Sequence, residues 1–158
     1  MHIVVCGIGN AERGDDAFGP YIVAHLQERE MLEKIDCGLH PENYLNRIIS
    51  LAPDVLIFLD TIDRKSQDCV LLRNEEITEL STLSVSTHSL SMGAMYEFLH
   101  NGGLQNVFFL GIPAISYERM TARVKDTADR IIGVLNDIDT SRRVGIIDIY
   151  EALSEQIR

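Results

Sequence analysis

The sequence is short of basic residues. It holds 14 Lys and Arg against 24 Asp and Glu, for a formal net charge of −10 over 158 residues. An acidic surplus of this size repels phosphate backbones and anionic lipid headgroups at long range. We therefore expect neither nucleic acid nor a membrane surface as a partner, whereas a cationic or metal-bearing partner suits this charge.

Cysteine is also scarce. The 3 cysteines are an odd number, stand far apart, and lie within or beside apolar runs. Buried thiols are therefore expected rather than a disulfide or zinc framework. Cys6 falls within the first predicted strand, where a thiol is inert, so a nucleophilic role is disfavoured.

Long apolar runs are missing as well. Residues 1–7 have no basic segment before their apolar stretch, so a signal peptide is not expected. Residues 101–117 are free of charge but contain Asn, Gln, Gly and Pro, and they are too few for a membrane span. Together these features predict a cytoplasmic protein.

Several catalytic and nucleotide-binding motifs are absent. Gly7 and Gly9 suggest a dinucleotide fingerprint, but Glu12 stands where the third glycine belongs, and its charge would face the pyrophosphate. The glycines can equally serve only a tight turn after a strand. The chain also lacks the phosphate loop of NTPases and the Gly-x-Ser-x-Gly elbow of serine hydrolases. A nucleotide-binding α/β domain is thus a weak alternative.

Short β-type apolar runs alternate with segments of helical period. Strands are expected at residues 2–8, 34–37, 54–60, 68–72 and 107–112, with the fourth at or near a sheet edge. Helices are expected from residue 15 or 16 to 26, and at 41–51, 90–100, 121–137 and 144–157. This alternation predicts one domain spanning residues 1–158. Its expected fold is a three-layer α/β/α sandwich with a mostly parallel, twisted sheet of about five strands.

In such sheets ligands bind beyond the carboxyl ends of the strands, and polar residues at that edge are the site candidates. Asp15 and Asp16 lie where the first loop meets the first helix. One carboxylate there can cap the helix, but two exceed what a cap requires. We expect that Asp15 caps and that Asp16 faces the cleft.

Two further candidates come from later loops. Asp60 directly follows five apolar strand residues, where a desolvated acid needs a cation, a metal or several donors, while Asp63 fits an ordinary loop acid. His88 lies in the hydroxyl-rich segment STHSL before a helix. Asp16, Asp60 and His88 form a mixed oxygen and nitrogen set that suits a borderline divalent ion such as nickel or zinc. The remaining histidines are expected to be structural or solvated: His2, His25, His40 and His100.

Three blocks together resemble the [NiFe]-hydrogenase maturation endopeptidases: GIGNAERGDDAFGP at residues 7–20, LDTID at 59–63 and STHSL at 86–90. IDCG at 35–38 is similar to the family's Asp-Gly-Gly segment, and FLGI at 109–112 also resembles the family. The resemblance spans nearly the whole chain and weakens after Pro113. The combination of blocks is far more specific than any single block.

The resemblance implies an α/β/α sandwich that removes a short C-terminal extension from the large-subunit precursor of a [NiFe] hydrogenase after nickel insertion. By motif position, Asp16, Asp60 and His88 match the family's metal-binding residues, and Asp36 matches a further aspartate of less settled role. Cys37 departs from the family, since it replaces the first glycine of Asp-Gly-Gly. Residues 41–43 resemble the branch that serves hydrogenase-3-like or coenzyme-F420-linked enzymes.

These expectations lead to one catalytic mechanism and one competing hypothesis. Asp16, Asp60 and His88 would bind nickel delivered by the substrate, although other divalent ions could occupy the same residues. A water molecule, polarised by the metal or deprotonated by one of the aspartates, would attack the peptide without an acyl-enzyme. The competing hypothesis is a non-enzymatic nickel chaperone that uses the same side chains.

Overall fold

The computed structural model describes residues 1–80, 90–141 and 144–158. Its strands are β1 (Ile3–Ile8), β2 (Leu32–Gly38), β3 (Val55–Ile62), β4 (Val70–Arg73) and β5 (Val107–Pro113). Its α-helices are α1 (Phe18–His25), α2 (Leu45–Leu51), α3 (Met92–Asn101), α4 (Ala122–Asp137) and α5 (Ile146–Gln156). Short 3₁₀ segments cover Gly14–Ala17, Pro41–Tyr44 and Asn74–Glu79.

The five strands form one sheet in the order β2-β1-β3-β5-β4. β1 pairs in parallel with β2 and β3, and β3 pairs in parallel with β5, while β4 adds an antiparallel edge. The prediction of a mostly parallel sheet of about five strands, with its fourth strand at an edge, is confirmed. The prediction of a single domain stays a prediction.

Apolar side chains cover both faces of the sheet, which is why the central strands read as unbroken apolar runs. Every residue of β1 and β5 is buried. One core cluster joins the sheet to α1, α4 and α5, and the other joins it to α2, α3 and the 3₁₀ segment Asn74–Glu79. The layers are therefore helix, sheet and helix, as predicted. No helix in the described ranges has the length and apolar character needed to cross a membrane.

α1 lies directly on the backbone of β1 and β3. A Cβ atom at Gly19 would come within 2.5 Å of the amide nitrogen of Ile8 and of the carbonyl oxygen of Leu59. A Cβ atom at Gly7 would lie 2.4 Å from the carbonyl oxygen of Gly19. Only glycine permits this approach, and it places the turn that precedes α1 beside the end of β3.

We expect Gly19→Ala to lower the free energy of unfolding by about 1–3 kcal/mol, because backbone atoms surround the added methyl group. Chemical denaturation measured by circular dichroism checks this value. Gly133→Ala is the matched control, since Gly133 lies exposed in α4 and its Cβ would meet nothing within 4 Å. The control should raise stability by about 0.5–1 kcal/mol. Equal stability of the two variants would contradict the packing argument.

Candidate active site

The strand order determines which segments meet at the carboxyl edge of the sheet. From β1 the chain crosses to β2 on one side, and from β2 it crosses back to β3 on the other side of β1. The loop after β1 and the end of β3 therefore meet at a topological switch point, the usual ligand position in open α/β sheets. The predicted site residues Asp16 and Asp60 come from these two segments.

Both carboxylate oxygens of Asp16 accept hydrogen bonds. The amide of Asn10 donates to Oδ2 at 2.9 Å, and the hydroxyl of Thr61 donates to Oδ1 at 2.8 Å. Gly9 makes this geometry possible, because its φ is +135° and a Cβ there would lie 2.0 Å from the carbonyl oxygen of Asp16. The loop after β1 thus folds around the Asp16 carboxylate.

Asp60 is buried at the end of β3, with 8% of its surface exposed. Its Oδ1 accepts a hydrogen bond from the amide of Thr61 at 2.8 Å. The expectation that the acid at this strand end is at least partly desolvated is confirmed. Asp63, three residues further on, is exposed, as expected of an ordinary loop acid.

Thr61 therefore connects the two predicted site aspartates: its hydroxyl bonds to one and its amide to the other. His88 lies within residues 81–89, outside the described residues. Among the residues that the structure describes, no group of three or more His, Cys, Asp and Glu side chains could hold a metal ion. Asp16 and Asp60 consequently need His88, or ligands from a substrate, to complete the predicted set.

Asp15 has a different task from its neighbour. It is fully buried, and its carboxylate accepts hydrogen bonds from the amides of Ile115 and Ser116 at 2.8 and 3.0 Å. It also accepts bonds from the amide and hydroxyl of Thr121, the residue before α4. The expectation that Asp15 caps the first helix is wrong. It holds the loop after β5 against the loop after β1, because it points across the sheet edge.

These bonds determine the charge state of Asp15. Burial by itself raises the pKa of the carboxyl group, but the hydrogen bonds from Thr121, Ile115 and Ser116 outweigh burial and hold the pKa below its usual value of 3.8. Asp15 is thus a buried carboxylate that stays ionised through the donors of a distant loop.

Asp36 lies at the same edge of the sheet, at the end of β2, where it pairs with Gly7 of β1. Its side chain is exposed, and its Oδ1 accepts a bond from the amide of Gly38 at 3.0 Å. The register of β2 against β1 shifts next to this position, and Cys37 occupies the shift. The shift turns the Cys37 side chain into the core, where only 3% of its surface is exposed. Cys37 is the residue that departs from the Asp-Gly-Gly pattern.

The three thiols are free, and two of them are buried. Burial, together with a hydrogen bond to Cys37, raises the pKa of Cys6 well above its usual value, which agrees with an inert thiol. Cys69 is only half-buried, so the expectation of burial fails for this residue. Cys69 directly precedes β4, the strand at the sheet edge.

The other histidines make local contacts, as expected of structural or solvated side chains. His2 lies 2.8 Å from Glu33, His40 lies 3.3 Å from Glu42, and Nδ1 of His25 lies 2.8 Å from the carbonyl oxygen of Tyr21. His100 stacks on Tyr96 within α3.

The sequence pattern missed Thr61 and the partners of Asp15. Thr61 reads as an ordinary β-branched residue in a strand, and 45 residues separate it from Asp16. Ile115 and Thr121 are 100 and 106 residues from Asp15. No sequence pattern near these residues predicts contacts between positions so far apart in the chain.

Fold and site together define an open α/β protein with buried and half-buried carboxylates at its switch point. The family model described as hydrogenase maturation protease matches residues 20–138. The chain belongs to the hydrogenase maturation protease family.

Individual relatives support the assignment. The hydrogenase 2 maturation protease of Escherichia coli is 32% identical over 110 residues, which cover 65% of this chain and 66% of the relative. The crystal structure of the [NiFe] hydrogenase maturation protease HycI from Thermococcus kodakarensis superposes with a TM-score of 0.72 at 25% identity, covering 97% of this chain and 92% of that one. The hydrogenase maturating endopeptidase HybD from E. coli gives a TM-score of 0.67 at 27% identity, covering 82% and 86%.

We expect Asp15→Asn to lower the free energy of unfolding at neutral pH by about 1.5–3 kcal/mol, since a buried charged acceptor with several donors is lost. Because the folded-state pKa of Asp15 lies below the unfolded value, its contribution is complete above about pH 4 and is lost as pH falls through the folded-state value. The stability gap between wild type and variant, measured by denaturation, should therefore narrow in acid.

Asp126→Asn serves as the control, because Asp126 is exposed on α4. It should change stability little at any pH. A stability gap between Asp15→Asn and wild type that widens as the pH falls would show that the bonds to the loop after β5 do not stabilise the ionised form.

Proposed function

We propose that this protein is the endopeptidase that removes the C-terminal extension of a [NiFe]-hydrogenase large-subunit precursor after nickel insertion. Family membership supports the general activity, because hydrogenase maturation proteases act on such precursors. The proposed site rests on one observation: Asp16 and Asp60 both accept a hydrogen bond from Thr61 at the switch point.

In this proposal Asp16, Asp60 and His88 bind the nickel that the precursor carries. The Asp60 side chain lies on the same face of β3 as those of Phe58 and Ile62, because side chains alternate along a strand. Both apolar residues belong to the core cluster that includes Met92 at the start of α3. Asp60 therefore faces the layer of α3, which begins four residues after His88. His88 is thus close in sequence to α3, and Asp60 faces the layer that contains this helix.

Nickel bound in this way would hold the scissile peptide beside the carboxylates, so that proximity supplies much of the rate enhancement. A water molecule adds its oxygen to the peptide carbonyl carbon, and an aspartate or the metal assists removal of its proton. The carbon–nitrogen bond then breaks, and the proton passes to the leaving amine. The protein would act as a nickel-dependent hydrolase with aspartate ligands and without an acyl-enzyme.

Charge favours the same partner. The net charge of −10 repels nucleic acid but attracts a divalent ion and the basic residues of a partner protein. Negative side chains in a partly buried crevice act more strongly than those on the open surface, because water screens them less. We propose that the reaction takes place in the cytoplasm.

The test is cleavage of a nickel-loaded precursor that carries its C-terminal extension. We expect Asp16→Asn, Asp60→Asn and His88→Ala each to lower the cleavage rate by about 100-fold or more, because each removes a metal ligand or a proton acceptor. Mass spectrometry of the large subunit measures the shortening directly. The same precursor without nickel should not be cleaved by the wild-type protein.

Asp63→Asn is the matched control, since Asp63 is an exposed aspartate directly after β3, three residues from Asp60. It should cleave at a rate close to that of wild type. Normal trimming by Asp16→Asn and His88→Ala would refute the site assignment. Transfer of nickel by the wild-type protein with no shortening of the large subunit would instead identify a nickel chaperone.

A further inference from the structure

Thr61 donates from two atoms to two different carboxylates. Its hydroxyl lies 2.8 Å from Oδ1 of Asp16, and its amide lies 2.8 Å from Oδ1 of Asp60. Thr61 thus links Asp16 and Asp60, through its hydroxyl on one side and its backbone amide on the other.

Asp60 and Thr61 are successive strand residues, so their side chains leave β3 in opposite directions. The Asp60 side chain lies on the same face as Phe58 and Ile62, whose core cluster includes residues of α2 and α3. The Thr61 side chain lies on the same face as Leu59, whose core cluster includes residues of α1. Thr61 thus reaches Asp16, in the turn before α1, through its side chain, and Asp60 through its backbone amide.

The hydroxyl group is not needed to build the strand. Thr61 is the seventh residue of β3 and pairs with Ile112 of β5. Valine has the same shape and an equal or higher preference for a strand. What valine lacks is the oxygen that donates to Asp16, so the choice of threonine is explained by the carboxylate rather than by the fold.

Asp16 needs such a partner because its other bond comes from a loop. The amide of Asn10 holds Oδ2, while the hydroxyl of Thr61 holds Oδ1 from the rigid end of a central strand. Two donors on two different elements restrict the carboxylate to one orientation. Donors behind a metal ligand or base commonly orient it in this way.

We infer that Thr61 is a positioning residue, whose hydroxyl keeps the Asp16 carboxylate in a single orientation relative to Asp60. This inference rests on the proposed function for its effect on cleavage, but the orientation itself can be measured without nickel or precursor. Thr61 acts through Asp16 and does not touch the reacting peptide.

Thr61→Val removes the hydroxyl and keeps the shape, and Thr61→Ser keeps the hydroxyl. We expect Thr61→Val to lower kcat for cleavage of nickel-loaded precursor by about 10-fold or more, with KM within about 2-fold of wild type. Thr61→Ser should recover most of kcat. Thr127→Val is the matched control, because Thr127 is a buried threonine that donates only within α4.

Crystal structures of the wild-type and variant proteins give the second readout. Asp16 should change rotamer or lose order in Thr61→Val and keep its position in Thr61→Ser. If the valine variant does not fold, Thr61→Ala replaces it, since alanine and serine differ by the hydroxyl oxygen.

An unmoved Asp16 in Thr61→Val, or a serine variant as impaired as the valine variant, would overturn the inference. Should the wild-type protein fail to cleave the nickel-loaded precursor, the proposed function fails. The position of Asp16 in the two crystal structures then still decides the role of Thr61.

Discussion

The site depends on the direct contact between the backbone of α1 and the ends of β1 and β3. Gly7 and Gly19 remove the side chains that would keep helix and sheet apart. The turn carrying Asp16 is thereby brought next to the end of β3, close enough for the hydroxyl of Thr61 to reach its carboxylate. A layer of ordinary side chains between helix and sheet would separate these groups.

Three acids at this edge are placed in different surroundings, and the surroundings give them different tasks. Asp15 is surrounded by amides and a hydroxyl, so it is an ionised group that holds two loops together. Asp16 is held at both oxygens but stays partly exposed, and Asp60 is buried at the end of β3. Adjacent residues 15 and 16 thus have different hydrogen-bond partners, because successive side chains of a tight turn point in different directions.

Much of the fold could be predicted from the chain, because buried strands and amphipathic helices leave local patterns. The run from Asp54 to Asp60 marks β3 to within two residues, and the helical spacing from Val124 to Leu135 marks α4. Asp16 and Asp60 could be singled out because parallel strands place their carboxyl ends at one edge. The half-burial of Cys69 and the target of Asp15 could not, since both depend on which distant segment covers the residue.

The sequence by itself determined the alternation of strands and helices, the acidic balance and the positions of the acids relative to the strand ends. These properties follow from composition and from periodicities of a few residues. Only the tertiary structure decided that Asp15 holds the loop after β5 and that Thr61 joins Asp16 to Asp60. The physical reason is that hydrogen-bond partners 45 to 106 residues apart meet only after the sheet order and the close approach of α1 are established.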